Sequence, residues 1–166
     1  MKKLLLILFT PFIVNAQQIS VMDAVVLKEG SDADYLEIEE FWSKIHAEII
    51  SQGKKMQWSI WKTLPGDPLT EDSKPADYMI FNSYESQEQY DASQDVDYVA
   101  IAQKVHGISK KKAQKMIDSS FDPREATRSY TLSIQAQVAS SDFNPTPGLV
   151  CSCLLYTSPS PRDQEA

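Results

Sequence analysis

His46 is the side chain in this sequence best suited to chemistry. An imidazole near its free pKa can take up or release a proton at neutral pH. It sits in the stretch 31–64, SDADYLEIEEFWSKIHAEIISQGKKMQWSIWKTL, among aromatic residues. Glu39 lies two helical turns before it, a rise of about 10 Å, too far for a direct hydrogen bond but near enough to flank a bound ligand. Tyr35, Trp42, Trp58, Trp61, Tyr78 and Asn82 are the further candidates for lining a flat, mostly apolar pocket whose one polar edge meets the imidazole. Plainer readings stand beside these: a histidine satisfied by a hydrogen bond inside the core, and aromatic side chains that are the core.

Other clusters say less. Asp67, Glu71 and Asp72 could hold calcium, but they lack the EF-hand glycine and terminal glutamate, so a solvated loop is the reading and no metal is expected. Lys110 to Lys112 form a basic run best read as a solvated face. His106 stands beside Gly107 in a helix break and reads as exposed. GxGxxG, the P-loop, HExxH, GxSxG and CxxC are all absent. A formal charge of −7 argues against nucleic acid as a main partner.

The elements that must position His46 follow from periodicity. Ser31 is an N-cap candidate, with Asp32 and Asp34 in the first turn where the helix dipole favours them. Tyr35, Ile38, Trp42, Ile45 and Ile49 then recur at steps of three and four, one face of a helix, and Gly53 ends it. At 100° per residue, His46 and Glu39 project inside the apolar arc. A strand follows from Lys55 to Leu64, with Met56, Trp58, Ile60 and Leu64 on one side and Gln57, Ser59, Trp61 and Thr63 on the other. Ile19 to Lys28 is an earlier strand, apolar on both sides. After a polar loop, Pro65 to Pro75, a third strand runs from Asp77 to Tyr84. Ser86 caps a second helical region, with Tyr90, Val96, Tyr98, Val99, Ile101 and Val105 as its apolar positions. Gly107 interrupts that region, and a Lys-rich helix, Ser109 to Ser119, continues it. Arg128 to Val138 alternates as the last strand.

Strand, helix, strand, strand, helix, strand is the split βαβ or ferredoxin-like order, an α+β fold. It predicts a four-stranded antiparallel sheet with helices on one face. The other face carries Val, Met, Phe and Trp side chains, too many to leave in water. A homodimer that pairs two such faces would cover them.

The termini read differently. Lys2 and Lys3 followed by the apolar run Leu4 to Val14, too short to span a bilayer, with Val14-Asn15-Ala16 at a cleavage site, make residues 1–16 a secretory signal peptide. No cysteine follows that would take a lipid. The mature chain then begins at Gln17, periplasmic or secreted and off the membrane after cleavage, with a domain over 17–138 and a polar tail over 139–152. Cys153 to Asp163, CLLYTSPSPRD, resembles the translation of a sequencing adapter. Residues 153–166 are thus expected to be a disordered artefact, and the two cysteines carry no disulfide argument.

YLEIEEFWSKIHAEIISQGKKMQWSIWKTL and DYMIFNSYES together resemble the dimeric α/β-barrel superfamily. Its members include antibiotic-biosynthesis-monooxygenase-like and haem-degrading domains, muconolactone isomerases and stress-responsive barrels; the likeness extends to exported bacterial members of unassigned activity. It covers about Ile19 to Val138 and implies a homodimer. It is specific for fold and vague for activity, because members do unrelated chemistry. The haem-degrading relatives use an Asn, a Trp and a His; Asn82, Trp58, Trp61 and His46 are the residues of those types here, without a positional match. Two function classes stay open. One is an exported protein that binds a small apolar or aromatic ligand between the long helix and the sheet. The other is a monooxygenase-like enzyme using His46, without a cofactor or with haem, the one cofactor the resemblance brings in.

Overall fold

Alternation makes Ile19–Leu27 the first strand, β1, and the three-four apolar step makes Asp32–Ser51 the long helix α1. The computed structural model describes residues 17–64 and 75–135. Within them follow β2 (Gln57–Lys62), β3 (Tyr78–Tyr84), α2 (Gln87–Ser93), α3 (Tyr98–His106), α4 (Lys110–Asp118), a 3-10 turn at Ser119–Phe121 and β4 (Arg124–Ser133). The sheet order is β2-β3-β1-β4 with every neighbour antiparallel. This is the ferredoxin-like arrangement expected, with helices on one face.

Period-two alternation and the register sort the side chains. Val25, Leu27, Tyr78 and Ile80 are buried on the helix side against Tyr35 of α1, with Trp58 and Ile60 packed alongside. A second core lies within the helical layer: Phe41, Ile45 and Ile49 of α1 meet Val96, Ile101, Ala102 and Ala113. The outer face carries Met22, Ala24, Trp61, Met79, Phe81, Tyr130 and Leu132 by register. Tyr130 and Leu132 are exposed.

Several local expectations change. Ser31 stands at the N-cap position but makes no side-chain cap bond, because its backbone is not extended (φ −91°, ψ 9°). Phe41 is buried in α1 while Ile38 and Trp42 are only half-buried, since the helical layer crosses α1 on the Phe41 side. The second helical region breaks once more than Gly107 requires. Ser86 caps α2 through Gln89 N–H, and Asp97 restarts the chain as α3 by accepting from Ala100 N–H. Gly107 adopts φ 62° between α3 and α4, the left-handed conformation a side chain resists. β4 begins at Arg124, four residues before the expected Arg128, and ends at Ser133. An irregularity at Val26/Leu27 pairs Leu27 with Arg124, and Lys28 N–H bonds to Pro123 C=O, which draws the chain into the sheet early. No helix among the described residues is long and apolar enough to cross a membrane. The expected signal peptide, the Asp67–Asp72 cluster, the polar tail and the adapter-like segment lie outside the described residues.

Candidate functional site

The end of α1 and the link into β2 bring the candidate chemistry together. Trp42 and His46 are one helical turn apart, on the same face. Gly53, at φ 70°, turns the chain back toward the sheet. Lys55 falls in that link, and its amine reaches His46 Nδ1 at 3.0 Å and Asn82 Oδ1 at 2.6 Å. Asn82 faces the helices because β3 alternates from the buried Tyr78 and Ile80, and its cross-strand partner is Trp58. The His46 ring stacks with two indoles, Trp42 at 5.8 Å and Trp58 at 5.2 Å. Tyr98 of α3 meets Trp42 edge-on, and Lys55 Nζ lies 5.8 Å from the centroid of the Tyr84 ring.

Burial sets the protonation. His46 is 9% exposed and Lys55 3%. Desolvation, and then the nearby Lys55 charge, drive the His46 pKa down from 6.5 to about 3, so the ring is neutral near pH 7. Desolvation also lowers Lys55 from 10.5 to about 8, opposed by the carboxylate of Asp23. Asp23 stands on the helix side of β1, opposite Ile80, and accepts a hydrogen bond from the Ser129 hydroxyl. A neutral imidazole accepts from Lys55 at Nδ1, which leaves the proton on Nε2.

The other candidates are placed less tightly. Glu39 is 4% exposed and is bound by Arg124 at 3.2 Å, in a cluster with Tyr35 that is separate from the Lys55 amine. Burial pushes Glu39 above the usual carboxylate range. Tyr35 is fully buried, and its hydroxyl faces the Glu39 carboxylate. Tyr78 donates to Asp32, which also pairs with Lys62 at the far end of β2. Trp61 points to the outer face and donates to Ser59. The structure thus brings His46, Trp42, Trp58 and Asn82 together, and it leaves Glu39, Tyr35, Tyr78 and Trp61 elsewhere. His106 is half-buried rather than exposed, stacked on Phe41 at 4.5 Å with Nε2 against the Phe41 carbonyl.

Lys55 went unseen in the sequence. Strict alternation from Trp58 would set it with Gln57 and Ser59 on the outer face. Only the reversal at Gly53, seven residues past His46, hints that a residue of this link folds back onto the helix.

Haem is the cofactor raised by the resemblance, and these residues do not fit it. His46 Nδ1 is held by Lys55, and the ring is 9% exposed with two tryptophans stacked against it. Among the described residues no group of three His, Cys, Asp or Glu side chains is placed to hold a metal ion.

No protein-family model matches the chain, and no curated protein matches it. Solved structures resemble it in shape. A dimeric ferredoxin-like protein of unknown function from Thermobifida fusca shares 12% identity over 72% of this chain and 92% of its own, with a TM-score of 0.45. A protein proposed to be an antibiotic biosynthesis monooxygenase from Caulobacter crescentus shares 11% over 74% and 93%, at 0.44. The hydroxynitrile lyase of Passiflora edulis shares 7% over 74% and 98%, at 0.47. The strand order observed here, rather than these likenesses, defines the fold.

Proposed function

We propose that this protein binds a small, flat, mostly apolar ligand between α1 and the sheet. Its polar edge would be turned to Lys55, with His46 and Asn82 behind. The observation that supports this reading is a buried amine held by two neutral partners inside a ring of half-buried aromatic side chains, Trp42, Trp58 and Tyr98. Titrating the protein with a flat aromatic probe while following tryptophan emission should give saturable quenching, largely lost in Trp58→Ala. An unsaturable, linear response equal in both proteins would refute the pocket.

The enzyme reading through His46 has less support. A ring whose pKa is held near 3 is a poor proton acceptor at neutral pH. Any reaction at this site would centre on Lys55.

The chain is proposed to work as an exported homodimer, freed of residues 1–16. The exposed Tyr130 and Leu132, beside Met22 and Phe81 on the outer face, support pairing of two sheets. Light scattering at micromolar concentration should give twice the chain mass, and Tyr130→Lys, directly opposite Met22, should return it to one.

A further inference from the structure

Lys55 differs from the lysines around it. Lys44, Lys62 and Lys104 are exposed and pair with Glu40, Asp32 and Glu48. Lys55 is 3% exposed, and among the described residues no carboxylate lies within ion-pair distance of it. Asn82 Oδ1 is an acceptor, and so is His46 Nδ1 in the tautomer that carries its proton on Nε2. An uncharged amine has two hydrogens and one lone pair. With both hydrogens held, the lone pair is fixed at the remaining corner of the tetrahedron. The amine, once it has lost its proton, is therefore oriented as a nucleophile, and burial lowers its pKa to about 8, so a larger share of it is uncharged at pH 7 than of an exposed lysine.

We propose that Lys55 Nζ is a carbonyl-reactive amine that condenses with an aldehyde or ketone group on the ligand to form an imine. This rests on the binding reading above, and names the polar edge of the ligand as a carbonyl. The nitrogen lone pair forms the N–C bond while the carbonyl π pair moves to oxygen. The resulting carbinolamine loses water: the C–O bond breaks, and the oxygen leaves with both amine hydrogens. No electrons are gained or lost overall. His46 Nδ1 and Asn82 Oδ1, each already bound to one of those hydrogens, orient the amine for the attack. Both act as positioning groups.

The test treats the purified protein at pH 7 with 2-naphthaldehyde and sodium cyanoborohydride, which reduces an imine to a stable amine. Intact mass and peptide mapping then locate the label. Lys55 is expected to be labelled at least about tenfold faster than Lys44, Lys62 or Lys104, as a desolvated amine should be. In Asn82→Ala, which frees one hydrogen, Lys55 labelling should slow while the far-UV spectrum is kept. Label spread evenly over the surface lysines, or a Lys55 rate indifferent to Asn82→Ala, would overturn the proposal. Naphthalene, which has no carbonyl, separates the two readings. If it quenches tryptophan emission while Lys55 stays unlabelled, the pocket stands and the imine falls. If Lys55 is labelled and naphthalene does not quench, the imine stands and the apolar pocket falls.

Discussion

Acidification from pH 7 toward pH 3 is expected to cost the protein several kcal/mol through His46. The ring's pKa falls from 6.5 to about 3 on folding, and each unit is worth about 1.4 kcal/mol. Between those values the unfolded chain takes a proton that the native state refuses. The stabilisation is therefore complete above pH 6.5 and is lost as pH falls toward 3. Denaturant titrations at pH 7, 5.5 and 4 on the native protein and on His46→Gln isolate the effect from the carboxylates. Glutamine can still accept from Lys55 but takes up no proton, so its curve should fall less steeply by an amount on the order of 3 kcal/mol. Parallel curves would show that acid reaches the ring without unfolding. Lys55 acts in a different window with the same sign. Its pKa is depressed to about 8 from 10.5, so the native state binds fewer protons across that range and stability climbs as pH rises through it.

The second large effect belongs to the buried ion pair at Glu39, two turns before His46 on α1. Arg124→Ala should cost about 3–5 kcal/mol, the usual result of removing one partner of a buried pair. The change leaves Glu39, 4% exposed, without its cation, and removes the guanidinium stacked over Tyr35 and Phe121. Glu39 already titrates above its ordinary range because it is buried. Without Arg124 it would do so more strongly, and the native state would bind the proton that the unfolded chain releases. The deficit should therefore shrink as pH falls. Adding Glu39→Gln should recover part of the loss, which thermal melts of the single and double variants would read directly. A loss under about 1 kcal/mol, flat with pH, would mean the pair is solvated.

How much could be read in advance depended on whether a signal was periodic. Tyr35, Ile45 and Ile49 recur at helical steps, and each is buried; Tyr78, Ile80 and Tyr84 alternate, and each is buried too. Those two rhythms were enough for the ferredoxin-like order. Phe41 was passed over for its neighbour Trp42, although it too stands three residues after Ile38 and four before Ile45, because what buries it is α3 and α4, which no local pattern announces. Arg124 was not singled out, because the last strand was started at Arg128 and its partner Glu39 is on another element 85 positions away. The site was legible in its aromatic half. His46, Trp42 and Trp58 stood out by type and spacing, whereas Lys55 sits in a link where neither period applies. A lysine there reads as solvent-facing until the reversal at Gly53 is built. Of the two readings of His46, a pocket side chain would reach solvent between α1 and the sheet, and a core histidine would not. The ring is 9% exposed, with two indoles stacked against it.

The sheet order also sets how the chain can come together in time. β1 is a central strand whose neighbours are far along the sequence. Ser20 meets Ser83 across 63 positions, and Asp23 meets Ser129 across 106. Closing loops of that length costs entropy before any contact repays it, which puts such topologies toward the slow end of folding, about milliseconds to seconds. A nascent chain halted before Arg124 would hold β1 with one ladder of N–H and C=O groups open to any passing strand. The hazard of misassociation therefore lasts through synthesis of nearly the whole domain, and ends only when β4 docks.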